Sequence, residues 1–282
     1  GFSCNIPCYN PLDIIKYIQI WLKNKSLKNK NELIPWYNDF KGTIKMIDDN
    51  KFETYGIKEE INKTTIKVTE IPIGFSIDSF KEKLDDALEK KIITSYQNHS
   101  TTDEPLFTIK YSTMSSALEK ILELKSCLST SNMTCFDINH KIKKYNSVNE
   151  IIEEFCSVRL NYYIKRKEYL LKQYEHELLL NSNKYRFINA IIEDEINIYK
   201  KTEQESYIIL DKNKFDKIND NNSYGGYNYL LNMSIKSFTK DRLDELKKII
   251  DSLKKQIKNL KSLTPEQLWE NDINEFIKIY NN

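Results

Sequence analysis

The sequence predicts an α+β fold: a mixed, mostly antiparallel domain, then a long antiparallel coiled coil that ends in a small helical dimerisation knob. Three observations predict it. Residues 43–47, 52–57 and 64–71 are short runs rich in β-branched and aromatic residues, the composition of strands. In 239–263, Leu243, Leu246, Ile250, Leu253, Ile257 and Leu260 recur at spacings of three and four, which is a heptad seam. In 148–195, Ile152, Cys156, Leu160, Tyr163, Leu170, Tyr174 and Leu178 form a compatible stripe. Unbroken, that segment reaches roughly 60–70 Å at about 1.5 Å per residue. The sequence between the two segments must reverse the chain, so they run antiparallel.

The elements follow in order. Asn10 before Pro11 is an N-cap followed by proline at the first helical position. It starts an amphipathic helix whose apolar face is Leu12, Ile15, Ile18 and Leu22. Residues 23–32 are polar and read as a loop, and Pro35-Trp36-Tyr37 as an aromatic packing cluster. Asp48-Asp49-Asn50 reads as the turn between the first two strands. Pro72 and Gly74 end the third. Ser76 caps a helix over 76–90 with Ile77, Phe80, Leu84 and Leu88 on one face. A strand at 106–111, a short helix at 114–122 and one or two strands in 124–136 complete the domain. Residues 140–145 read as a basic turn. Ser147 with Glu150 three residues on is a capping box for the long helix.

Beyond Ile196 the helical pattern breaks. Residues 207–210 and 227–231 are short apolar pieces around an Asn/Asp-rich loop and Gly225-Gly226, which reads as a small globular knob. Thr239 caps the returning helix. Thr264, before Pro265, caps a last helix with Leu268, Trp269, Ile273, Phe276 and Ile277. The divisions are thus 1–36, 37–146, 147–196, 197–236, 237–263 and 264–282. An exposed apolar surface at the knob is a natural dimer contact.

Composition narrows the function classes. Hydrophobic residues make up 40% of the chain and aromatic ones 12%, enough for a packed core. With 43 Lys and Arg against 41 Asp and Glu, any nucleic-acid surface must be local. No apolar run approaches the roughly 20 residues of a membrane span, and no signal peptide is visible, so neither a membrane nor a secreted role is expected. The chain opens on Gly1 without Met, as a piece of a longer protein would. Five cysteines without a C-x-x-C pair read as free thiols. With only three histidines, a zinc site is not expected.

The chain carries no G-x-x-x-x-G-K-[ST], G-x-G-x-x-G or G-x-S-x-G motif, and only six glycines in all. Its carboxylates are interleaved with lysines at ion-pair spacing on helices. By residues alone it is a mechanical or interaction module.

A family resemblance sharpens this. The run Lys-Ile-Lys-Lys-Tyr-Asn-Ser-Val-Asn-Glu-Ile-Ile (141–152), then Phe155, Val158-Arg159-Leu160-Asn161-Tyr162-Tyr163 and Lys165-Arg166-Lys167, resembles the start of the coiled coil in eukaryotic-type (type IIA) DNA topoisomerase II. Other blocks agree in the family's order. Gly1-Phe2-Ser3-Cys4-Asn5-Ile6-Pro7 resembles the segment after the DNA-intercalating isoleucine. Phe40-Lys41-Gly42-Thr43-Ile44, Thr69-Glu70-Ile71-Pro72-Ile73, and Asn132-Met133 with Phe136-Asp137 resemble the tower domain. Tyr227-Asn228-Tyr229-Leu230-Leu231-Asn232-Met233, Ser237-Phe238-Thr239-Lys240 and Leu268-Trp269-Glu270-Asn271-Asp272-Ile273 resemble the return from the C-gate and the helix after it.

The resemblance implies the tower, coiled coil and C-gate of an enzyme that passes one duplex through a transient break in another. It places the catalytic tyrosine, its arginine and the acidic metal cluster ahead of Gly1, so no catalytic or metal residue is assigned here. No cofactor is expected in this stretch; Mg2+ and ATP serve the full-length enzyme. The implied partners are duplex DNA and a second copy of the chain. Phosphate contacts are expected at Lys41, Lys45, Lys141, Lys143 and Lys144. Dimer contacts are expected at Phe187, Ile191, Ile192, Tyr207, Ile208 and Leu231. The implied location is nuclear in a cell, cytoplasmic for a virus. The chain departs from the family at Gly74-Phe75-Ser76-Ile77, where a basic residue and Thr-Trp-Thr are usual. It departs again at Asn5, where a basic residue is common, and between Ile196 and Tyr224. Two other classes compete: a coiled-coil scaffold without a nucleic-acid role, and a complete small enzyme.

Overall fold

In a computed structural model of the protein, Asn10 accepts a hydrogen bond from the Leu12 amide at 2.9 Å and, with Pro11, starts α1 (Pro11–Asn24) where the sequence predicts. The structure describes residues 4–28, 30–218 and 226–281. They belong to two units, Gly1–Val158 and Arg159–Asn282.

The first unit is built of antiparallel strands. β1 (Thr43–Asp48) and β2 (Lys51–Tyr55) form the predicted hairpin. Gly56 then carries the chain straight from one sheet into the next, as β3 (Ile57–Asn62) and β4 (Thr65–Glu70). The sequence predicts one strand through 52–57; the break at Gly56 and all of β3 are corrections. β3 is an exposed edge strand with Lys58, Glu59 and Glu60 in sequence, so it lacks the apolar signature of a buried strand while its charges guard the edge. At Gly56 a Cβ would lie 2.3 Å from the backbone oxygen of Glu70. Gly56→Ala is therefore expected to cost about 3 kcal/mol, read as a lowered urea midpoint.

Then come α2 (Ile77–Glu89), β5 (Ser95–Asn98), β6 (Phe107–Lys110), α3 (Ser116–Ile121), β7 (Lys125–Ser129), β8 (Met133–Phe136) and β9 (Ile142–Tyr145). The sheets are β1-β2-β7, β3-β4-β6-β5 and β8-β9. The main core lies where α2 and α3 cover the four-stranded sheet. Ile66, Val68, Phe80, Leu84, Phe107, Ile109, Leu118 and Leu122 are buried there, and Phe80 meets Phe107 edge-on at 5.1 Å. On α2 it is Ala87, not Leu88, that is buried; Leu88 is exposed. β5 escapes sequence reading because it is a polar edge strand. Residues 140–145 are a turn only in part. Ile142 to Tyr145 pair with β8, and that pairing, invisible locally, makes them a strand.

α4 (Val148–Ile192) begins in the first unit. Ser147 Oγ accepts the Glu150 amide at 3.3 Å, but the Glu150 carboxylate accepts the Asn146 amide at 2.9 Å. The predicted capping box thus closes one residue early. Glu153, one turn on, accepts from Ser26 Oγ at 3.1 Å and from the Leu27 amide. It holds the end of α1 on α4.

The second unit contains the rest of α4, then α5 (Glu203–Lys212), α6 (Asn228–Leu231), a 3-10 turn at Ile235–Ser237, α7 (Lys240–Ser262) and α8 (Pro265–Tyr280). Thr239 and Thr264 cap α7 and α8 as predicted. On α7 Leu246, Ile250, Leu253, Ile257 and Leu260 are buried. The direction of return follows from cross-contacts: Phe187 meets Phe238 at 6.0 Å, whereas Lys261 pairs with Glu175 at 2.8 Å. Later residues of α7 meet earlier residues of α4, so the hairpin is antiparallel. From Arg159 to Ile192, α4 runs about 50 Å. α5 gives the knob the helical character the sequence predicts, though the sequence sets no bounds for it; its Thr202–Glu205 capping box is legible as Thr-x-x-Glu.

Candidate nucleic-acid interface and self-association tip

The register of the three-stranded sheet decides which side chains share its open face. Lys45 lies opposite Glu53, and Tyr55 opposite Lys125. Since alternate residues share a face, Lys45, Lys51, Glu53, Tyr55 and Lys125 gather there. Phe52 and Thr54 point the other way and are buried. Lys45 Nζ and Lys125 Nζ stand 5.5 and 5.9 Å from the centre of the Tyr55 ring. Glu53 pairs with Lys125 at 2.6 Å and accepts from the Tyr55 hydroxyl. Those hydrogen bonds from Lys125 and Tyr55 hold the Glu53 carboxyl below its ordinary range. Three ammonium groups stand there against two carboxylates, Glu53 and the Asp48 that lies opposite Lys51, so the face keeps a small positive excess.

The five lysines named from the sequence divide. Lys41 Nζ pairs with Glu104 at 2.9 Å, and Lys143 Nζ with Glu154 at 2.6 Å. Lys45 leans on Tyr55. Lys141 and Lys144 are exposed on the β8–β9 hairpin, and among the described residues neither makes an ion pair. The group is therefore divided: Lys41 precedes β1, Lys45 stands on the three-stranded sheet, and Lys141, Lys143 and Lys144 belong to the β8–β9 hairpin. Lys51 and Lys125, which the sequence does not single out, share the face of Lys45 and Tyr55. The signal for Lys51 is the alternation Lys51-x-Glu53-x-Tyr55, but Lys125 joins only through the pairing of β2 with β7.

Beside this sheet, Pro72, Phe75, Phe80, Ile121 and Leu124 floor a cavity of about 230 Å³ rimmed by Lys83, Lys120, Glu123 and Lys125. Gly74 turns through a positive φ of 93°, and Phe75 follows. Lys83 Nζ stands 3.6 Å from the centre of the Phe75 ring. Where the family pattern is lost, this chain thus brings an aromatic ring and a cation together from Phe75 and Lys83.

The tip closes its own core. Phe187, Ala190, Ile196, Leu210, Phe215, Tyr227 and Leu230 are buried together. Arg186 reaches the carbonyl oxygens of Asn213 and Lys214 at 3.1 and 3.4 Å, tying the end of α5 to α4. Asn183 donates to Asp216 at 2.9 Å. The Tyr227 hydroxyl donates to Asp211 at 2.6 Å; burial first, then that carboxylate, push its pKa up.

Of the side chains assigned to self-association, Phe187 is 0% exposed and spends its surface on Phe215 and Phe238. Ile191, Tyr207 and Leu231 are half-buried against the same core, and Ile192 is half-buried in the last turn of α4. Ile208 stands out at 67% exposed. Tyr199 and Ile235, at 75% and 89% exposed, were not anticipated. For Ile208 a signal existed: consecutive apolar residues on a helix, each turned about 100° from the last, cannot all face one core. Residues 219–225, with Tyr224 and part of the Asn/Asp-rich loop, lie outside the described residues, as does the Gly1-Phe2-Ser3 block.

At the other end of the hairpin, Trp269 of α8 stacks on Tyr163 at 5.5 Å. Asp272 accepts from the Tyr163 hydroxyl and from Arg166, both at 2.6 Å. Burial opposes charge on Asp272, but the two hydrogen bonds outweigh it and hold its carboxyl below the usual 3.8. A depressed folded-state pKa gives stability that is present above the unfolded value and lost as pH falls through the folded one. Denaturation midpoints of this unit should therefore fall below about pH 4. Asp272→Asn should lower the neutral-pH midpoint and flatten that acid slope; an unchanged slope would remove Asp272 from the account.

Among the described residues no group of three or more His, Cys, Asp or Glu side chains is placed to hold a metal ion. The donor set here does not fit the Mg2+ that the family resemblance implies. No described helix is long and apolar enough to cross a membrane.

Residues 1–274 match the family model for the DNA gyrase/topoisomerase IV A subunit. The chain is 32% identical over 311 residues to DNA topoisomerase 2 of Plasmodium falciparum, covering 97% of this chain and 22% of that protein. With DNA topoisomerase 2 of Invertebrate iridescent virus 6 it shares 33% over 282 residues, covering 98% of this chain and 24% of that protein. The crystal structure of the Plasmodium falciparum topoisomerase II DNA-binding, cleavage and re-ligation domain matches with a TM-score of 0.86 at 32% identity, over 100% of this chain and 42% of that one. The chain thus spans about a quarter or less of the length of these curated relatives. On the family match over residues 1–274 and the shared fold, this chain belongs to the DNA gyrase/topoisomerase IV A-subunit family, with the fold of the corresponding part of a type II topoisomerase cleavage and re-ligation domain.

Proposed function

We propose that this chain is the non-catalytic gate portion of an ATP-dependent type II DNA topoisomerase. The first unit flanks the duplex that is cut, and the second carries the tip where two copies meet and part. Bond breaking, Mg2+ binding and ATP hydrolysis belong to other parts of the longer protein. The relatives' names support the reaction class. The lysine face around Tyr55 supports phosphate contact, which needs charge but no base edges. The observation that carries the reading is the tip. Its core is already closed by Phe187, Leu210 and Tyr227, yet Tyr199, Ile208 and Ile235 still face solvent. A small, separable apolar contact suits a gate that must open as well as close. The location is nuclear in a cellular host and cytoplasmic for a virus.

Sedimentation of the chain with and without duplex DNA tests the proposal. The expected result is a concentration-dependent dimer and a salt-sensitive shift with DNA. A strict monomer at high concentration that ignores DNA would favour the scaffold alternative in its place.

A further inference from the structure

Cys4 and Asn5 lie beside the β8–β9 hairpin. The Asn5 amide donates to the Asn132 oxygen at 2.8 Å. That contact brings Cys4 Sγ within 3.8 Å of Cys135 Sγ, across 131 residues of sequence. We propose that Cys4 and Cys135 are a modification site, a thiol pair that peroxide converts to a reversible disulfide.

Geometry sets the division of labour. Cys4 is exposed, whereas Cys135 is half-buried on β8. Cys4 therefore meets the oxidant and Cys135 resolves the product. The Cys4 thiolate attacks one peroxide oxygen; the O–O bond breaks, sulfur gains the hydroxyl, and the other oxygen leaves as hydroxide, which takes up the proton the Cys4 thiol released to solvent and becomes water. Cys135 sulfur then attacks Cys4 sulfur, its proton goes to the departing hydroxyl, and a second water leaves. Peroxide is reduced, and two thiols are oxidised to one disulfide. The sulfurs must close from 3.8 Å to about 2.05 Å, a movement within reach of side-chain rotation. Burial, then the neighbouring Cys4, raise the Cys135 pKa, which suits a resolving thiol that stays protonated until its partner is oxidised. The bond ties Cys4 to a hairpin whose second strand ends at Tyr145, just before α4 starts at Val148.

The test uses the full chain, dilute hydrogen peroxide, alkylation of the remaining thiols, and non-reducing peptide mass spectrometry. The expected product is a Cys4–Cys135 peptide pair lighter by two hydrogens and released by dithiothreitol. It should survive in Cys8→Ser and Cys127→Ser and vanish in Cys4→Ser and Cys135→Ser. Because the cross-link closes a long loop, the oxidised chain should melt about 5 °C higher, and oxidised Cys135→Ser should not. Cys4 ending as sulfinic acid beside an alkylated Cys135, or bonded to Cys8 instead, would overturn the assignment.

Discussion

Replacing Phe187 with alanine should lower the stability of the second unit by about 3–5 kcal/mol, the largest loss expected from a single change in it. The ring is fully buried and edge-on to Phe215 and Phe238. Truncation therefore removes a whole aromatic side chain and leaves a void between α4 and the start of α7. The sequence puts the same residue in the dimer contact set, and a companion variant separates the two roles. Ile208→Asp, on the exposed face of α5, should leave the denaturation midpoint within about 0.5 kcal/mol but weaken self-association at least tenfold. Equilibrium sedimentation and urea melts on both proteins read this out. A stable Phe187→Ala that no longer dimerises would place Phe187 at the interface instead.

The second large effect concerns DNA. Removing Lys45, Lys51 and Lys125 together by alanine substitution should lower the slope of log K against log salt by about one per lysine engaged. Duplex affinity at low salt should fall by roughly 100-fold, since Glu53 and Asp48 are left behind without a counter-charge on that face. Lys41→Ala should matter less, because Lys41 already faces Glu104 at 2.9 Å and that pair presents little net charge. Binding titrations at several salt concentrations distinguish the outcomes. An unchanged slope in the triple variant would move the interface to Lys141 and Lys144 on the β8–β9 hairpin.

The sequence by itself determined whatever is written in local, repeating chemistry. The caps at Asn10, Ser76, Thr239 and Thr264, the buried seam from Leu246 to Leu260 and the Asp49-Asn50 turn each depend on neighbours a few residues away. So does the existence of a reversal between α4 and α7. Tertiary structure decided the rest. β3 and β5 are edge strands whose partners, not their composition, make them strands. Lys125 joins Lys45 only through two pairings with β2, and Cys4 reaches Cys135 across 131 residues. Phe187 and Ile208 look equally apolar as letters; which of them the tip keeps and which it shows to solvent is set by the packing of α5 against α4. The physical reason is the same throughout: backbone propensity and capping act within a turn or two, whereas burial and charge gathering depend on which distant surfaces meet.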